Sequence, residues 1–206
     1  IEDERVKKIS LDDSPDLVGI SYEVFRAYRA YEVADHYRKR HVPVVLGGMH
    51  ASVMPEEALL HADAVVVGEA EEVWPQVVAD AVAGKMRGIY RAPKAVDLAK
   101  LNRPRLDLLD ASRYFPLYPI EATRGCTHAC SFCSTRYVHG SGFRTRPVAH
   151  VIADVERAGG RIIAFLDDNL AADEAFAKSL FTAMIPYDRK FFMQSHVLLA
   201  ENEELL

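Results

Sequence analysis

The sequence predicts an α/β protein built of two parallel-sheet units in tandem, and three observations carry that expectation. Short apolar runs that end in small residues recur: residues 16–21 (DLVGIS), 42–46 (VPVVL, followed by Gly47-Gly48) and 64–67 before Gly68. Stretches with apolar residues at helical spacing alternate with these runs, the pattern of strands joined by crossover helices. An interval over residues 91–119, containing Pro93, Pro104, Pro116 and Pro119, divides the series in two.

In the first unit, residues 1–92, a helix with a charged face over 26–40 joins the first two strands. Residues 71–82 form another, with Trp74, Val77, Val78 and Ala81 on one stripe and Pro75 tolerated in the first turn. Residues 93–117 read as a linker. The second unit, 118–206, opens with a strand over 118–122 that runs into a cysteine-bearing loop. Val148, Val151, Ile152 and Val155 then make a helix stripe, residues 161–166 a strand, Phe176, Leu180, Phe181 and Met184 a second stripe, and residues 190–196 another strand. The chain does not begin with Met, and Glu203-Glu204-Leu205-Leu206 reads as a helix just starting. A fragment truncated at both ends is therefore expected, with about three of the eight β/α units a closed barrel needs.

Composition narrows the function. Of 206 residues half are apolar and 27% charged, as in ordinary globular domains. There are 25 Lys and Arg against 30 Asp and Glu, a net charge of -5, which argues against nucleic acid as a partner. No apolar run is long enough to span a membrane and no signal peptide opens the chain, so the cytoplasm is the expected compartment.

All three cysteines, Cys126, Cys130 and Cys133, fall within the nonapeptide GCTHACSFC at 125–133. An odd number packed this closely is no disulfide framework. Thiolates hold iron in iron-sulfur clusters, and three ligands for a four-iron cluster leave one iron open to react. From Ala122 to Ala153 there is no Asp or Glu, while Arg124, Arg136, Arg144 and Arg146 all lie there, so an anionic group is expected to balance them. The alternative is structural zinc with a fourth ligand from His128, His139 or His150, which fits poorly because zinc sites favour paired short spacings.

C-x3-C-x2-C with an aromatic residue, Phe132, just before the third cysteine resembles the radical S-adenosylmethionine superfamily. The resemblance implies a full or partial (β/α) barrel with a 4Fe-4S cluster on Cys126, Cys130 and Cys133. It implies that S-adenosylmethionine chelates the open iron through its amino and carboxylate groups. One electron, from a donor such as flavodoxin or ferredoxin, then yields methionine and a 5′-deoxyadenosyl radical. Phe132 would lie against the adenine. Asp167, Asp168 and Asn169, at the end of the second barrel strand, stand where family members bind the cofactor's amino group; the rival reading is an N-cap cluster for the next helix. Gln194 and Ser195 on the following strand are further candidates for that pocket.

The first half resembles the cobalamin-binding domain that precedes the radical domain in one subgroup, through DLVGIS, VVLGGMHAS, Pro55-Glu56-Glu57 and VVVGEAEEVWPQVV. Small residues at strand ends, Ser21, Gly47, Gly48 and Gly68 with Glu69, are the expected place for the nucleotide tail. Gly48 is expected to leave room for that tail, so that Gly48→Val abolishes binding with the fold intact. The D-x-H-x-x-G motif that supplies a histidine to cobalt is absent. Arg144-Thr145-Arg146-Pro147 is similar to the branch containing hopanoid and bacteriochlorophyll methylases. The implied function is cobalamin-dependent radical methylation of an unactivated carbon in a small-molecule substrate. A cobalamin-independent radical cyclase, isomerase or epimerase, and a zinc-stabilised binding module, are the alternatives.

Overall fold

The structure, a computed structural model, describes residues 1–159 and 162–205. The expected strand start at Arg161 and the final Leu206 lie outside the described residues. The chain forms two compact units. One comprises Lys7–Val96 with Tyr137–Gly140; the other takes Ile1–Val6 and the remainder of the chain from Asp97 on. Much of the expected linker thus folds within the second unit, as three single 3₁₀ turns at Leu98–Lys100, Leu106–Leu108 and Ala111–Arg113.

The first unit holds four parallel strands, β1 (Val18–Ser21), β2 (Val44–Gly47), β3 (Ala64–Val67) and β4 (Gly88–Arg91), side by side in sequence order. Ile20 lies beside Leu46 and Leu46 beside Val65. Their connections are α1 (Ala27–Lys39), the short α2 (Met49–Val53) and α3 (Pro55–Leu59), and α4 (Trp74–Val82). Val44, Leu46, Val65 and Val67 pack with Ala30, Ala34, Ala51 and Ala58 on one face, while Val45, Ala64 and Val66 pack with Val73 and Val77 on the other. Because both faces are covered, the central strands are continuous apolar runs, whereas β1 and β4 alternate between half-buried and exposed. This is the Rossmann-like arrangement that the sequence predicts, with α2, α3 and β4 as elements the sequence reading did not assign.

In the second unit β5 (Tyr118–Ile120) runs on to β6 (Thr123–Arg124) and the cysteine loop follows; α5 (Thr135–His139) comes next, its residues from Tyr137 on counting with the first unit. β7 (Arg144–Thr145) pairs antiparallel with β6, a two-rung ladder too short to leave a periodic signal. After α6 (Val148–Arg157) come β8 (Ile162–Phe165), α7 (Glu174–Met184) and β9 (Lys190–Phe192), with β5, β8 and β9 forming a parallel sheet in that order. Ile120, Ile163 and Phe165 point into a core with Val151 and Val155 of α6 and Leu180 and Met184 of α7. The fold is that of the first β/α units of a barrel.

Candidate active site

The cysteine loop starts from a clamped backbone. Asp167, just beyond β8 and 2% exposed, accepts the Ala122 amide at 3.1 Å, the Thr123 hydroxyl at 2.6 Å and the Thr123 amide. The parallel pairing of β5 with β8 brings these ends together, since Ile120 lies beside Phe165 and the Leu166 amide donates to the Ile120 carbonyl at 2.9 Å. Burial pushes the Asp167 carboxyl up to about 6, against the opposing pull of the Thr123 and Ala122 hydrogen bonds. Its oxygens are spent on the chain itself. Asp168 next to it is exposed, and Asn169 is buried. The helix-capping reading of this turn does not hold: the N-cap of α7 is Asp173, which accepts the Phe176 amide at 2.9 Å.

Gly125, with φ of 87°, turns the chain into the loop. All three cysteines are free; Cys130 is exposed, Cys126 and Cys133 partly so, and the Cys133 thiol donates to Thr135 Oγ1 at 3.3 Å. Phe132 is 90% exposed, a bare aromatic face beside the thiols. Asn169 Nδ2 donates to Cys126 Sγ at 3.8 Å, and Asn169 Oδ1 accepts from Ser195 Oγ and the His196 amide, each at 3.1 Å. Gln194 contributes its carbonyl to the Leu170 amide at 3.1 Å and has an exposed residue surface. His128 of the loop and His196 stack with ring centroids 4.2 Å apart, a pairing the sequence reading missed and only the placement of β9 reveals.

The charge balance differs from expectation. Arg124 makes a two-point pair with Glu121 at 2.8 and 3.0 Å, and Arg146 donates to Asp154 at 2.7 Å and to the Glu121 carbonyl at 2.6 Å. Glu121 and Asp154 sit one residue beyond either end of the acid-free stretch. Those two cations are therefore neutralised by the chain, with no need of a bound anion.

At the carboxyl ends of β1 to β3, Ser21 is exposed and Gly47 partly buried. A Cβ on Gly47 would meet Val66 atoms at 3.7 Å or more, an ordinary contact. Gly48 is different: its φ is 91°, and a Cβ would fall 2.8 Å from Ser21 Oγ and from the Tyr22 amide and carbonyl. The glycine is required by the backbone passing it, so Gly48→Val disturbs the fold itself, contrary to the expectation of an intact one. Ser52, not singled out in the sequence, ties two strand ends together by donating to the Gly48 carbonyl at 2.8 Å and accepting the Gly68 amide at 2.9 Å. Its position four residues after Gly48, in the first turn of α2, is the local signal for it. Glu69 is buried, accepting the Val96 amide at 2.9 Å with His139 Nδ1 at 3.1 Å.

Residues 1–78 match the B12 binding domain family. Among curated relatives, Bacteriochlorophyllide d C-12(1)-methyltransferase of Chlorobaculum tepidum is 32% identical over 179 residues, covering 82% of this chain and 39% of that protein. Bacteriochlorophyllide d C-8(2)-methyltransferase of the same organism is 36% identical over 160 residues, 73% of this chain and 35% of that one. The chain thus spans less than two fifths of the length of either. In fold it is similar to the radical S-adenosylmethionine methyltransferase TsrM from Kitasatospora setae, solved with tryptophan and a SAM analog, with a TM-score of 0.70 at 22% identity over 85% of this chain and 41% of that one. A second TsrM structure, with cobalamin and a [4Fe-4S] cluster bound, gives 0.68 at 20% identity, with the same coverage. In sequence the chain is thus similar to the B12 binding domain family over residues 1–78 and to methyltransferases over most of its length, and in fold to TsrM.

The donor set suits a cluster chemically: three free thiols, at least partly accessible, on one loop. Among the described residues no three His, Cys, Asp or Glu side chains are gathered closely enough to hold a metal ion, so a cluster on this loop would have to draw the thiols together on binding.

Proposed function

We propose that this chain is part of a radical S-adenosylmethionine methyltransferase that uses cobalamin. What carries the reading is the cysteine loop: three free thiols at C-x3-C-x2-C spacing, following β6 a few residues beyond the carboxyl end of the parallel strand β5. When bound on Cys126, Cys130 and Cys133, a 4Fe-4S cluster supplies one electron to the sulfonium of S-adenosylmethionine, and cobalamin supplies a carrier for the methyl group.

The chain's own residues prepare that chemistry. Asp167 fixes the backbone of Ala122 and Thr123, so the loop begins from a rigid point. Asp168, exposed beside it, offers a carboxylate to the cofactor's ammonium, a charged hydrogen bond worth about 1.5 to 3 kcal/mol. Phe132 gains by covering its exposed ring with the adenine. In the first unit Ser21 and Gly47 are the strand-end positions free to meet a cobalamin tail, because Gly48, Gly68 and Glu69 serve the fold. The acceptor is a small molecule with an unactivated carbon, and the electron comes from a low-potential flavodoxin or ferredoxin.

Anaerobic reconstitution with iron and sulfide tests the reading. About four irons per chain are expected, following the composition of such clusters, and Cys→Ala at any of the three positions should abolish the loading. Uptake of zinc alone would assign the loop to a structural metal and overturn the proposal.

A further inference from the structure

We infer that Asn169 is a positioning residue whose buried amide donates to the Cys126 sulfur and thereby raises the reduction potential of the cluster that loop would hold. The inference rests on the cluster reading above. Asn169 is 3% exposed, and both ends of its amide are used. Its Oδ1 accepts from Ser195 Oγ and from the His196 amide, both at 3.1 Å. Turning the amide over would set an NH2 against the His196 amide, which can only donate, so that contact fixes which end faces the loop. That end is Nδ2, 3.8 Å from Cys126 Sγ.

A neutral thiol makes poor use of such a donor, whereas a thiolate ligating iron makes good use of it. The redox step concerned transfers one electron from an external low-potential reductant to the cluster, breaking no bond and moving no proton. The product carries one more negative charge, spread partly over the ligating sulfurs. A donor aimed at one of them favours the reduced state, and burial strengthens the effect. The anchor for the donor comes from the residues after β9 and the donor itself from the turn after β8, so two neighbouring strand ends hold it toward the loop.

The test is an anaerobic potential titration of the reconstituted chain with dithionite, followed by paramagnetic resonance of the reduced cluster. Asn169→Asp keeps an oxygen for Ser195 and His196 and replaces the donor by a second, charged oxygen. It should load iron as the parent does while its equilibrium constant for reduction falls about tenfold, a shift of roughly 59 mV to the negative for one electron. Ser195→Ala, which removes one anchor and keeps the donor, should shift it less. A purely structural role would change iron retention or melting without moving the potential, so an unchanged potential in iron-loaded Asn169→Asp overturns the inference. Zinc uptake without iron in the parent would instead overturn the cluster reading on which it rests. Should Asn169→Asp alone fail to hold iron, Ser195→Ala and Asn169→Ala decide: loosening or removing the donor without adding a charge should lower the potential, more in Asn169→Ala, and an unchanged potential in the iron-loaded variants overturns the inference.

Discussion

A single buried carboxylate, Asp167, holds the backbone that leads into the cysteine loop, and it does so at a titration point lifted from 3.8 to about 6. The folded chain then holds that proton more tightly than the unfolded chain. The stabilisation this gives is full below about pH 4 and is lost as the pH rises through 6. Asp167→Asn places an NH2 among amide donors and should cost stability at every pH, about 1 to 3 kcal/mol where the aspartate is ionised. The difference between parent and variant should be largest at pH 4 and shrink by up to about 3 kcal/mol toward pH 7, as urea unfolding at both pH values would measure. At the other site, two adjacent glycines make opposite predictions. Gly48→Ala, in a backbone region essentially reserved for glycine and with three atoms 2.8 Å from the new Cβ, should lower stability by about 2 kcal/mol or more. Gly47→Ala, which meets only ordinary contacts, should stay within about 1 kcal/mol of the parent in the same unfolding measurement. Gly47 is therefore the position at which bulk can be added to probe ligand access.

Among the elements, what could be read in advance followed from burial. β2 and β3 are covered on both faces, so they are unbroken apolar runs, and α6 and α7 show clean stripes because each has one buried side. α2 and α3 have five residues each, separated by Met54 and opened by Pro55, and β6 and β7 have two residues each; no periodicity exists at such lengths. The cysteine spacing is visible in the sequence itself, whereas Asp167 acts on residues 44 and 45 positions away, and nothing local to either marks the contact. The same holds for the β6–β7 ribbon, whose Arg146 reaches back to the Glu121 carbonyl and forward to Asp154. Both side chains of the Arg146–Asp154 pair are nearly buried, and Arg103 approaches the same carboxylate at 3.3 Å. Asp154→Ala leaves a buried guanidinium without its partner and should destabilise the second unit by about 3 kcal/mol, seen as a lower urea midpoint, whereas Asp154→Asn, which can still accept, should cost less.

For the whole molecule, the two units have separate cores, and the one tryptophan, Trp74, belongs to the first. Urea unfolding followed by Trp74 fluorescence should report that unit alone, while far-ultraviolet circular dichroism reports both. Gly48→Ala should move the fluorescence transition, and Asp154→Ala should leave it in place while moving the dichroism; coincident shifts in both probes would show that the units unfold as one. Three accessible sulfurs within eight residues also fix how the protein must be handled. Air converts neighbouring thiols to sulfenic acids and then to cross-links within the loop, and a loop stitched to itself can no longer spread around a metal. Loading capacity should therefore decay with time on the bench even as the folded fraction stays constant. A thiol reductant added before iron should restore it, except in that share of molecules carried on to sulfinic acid.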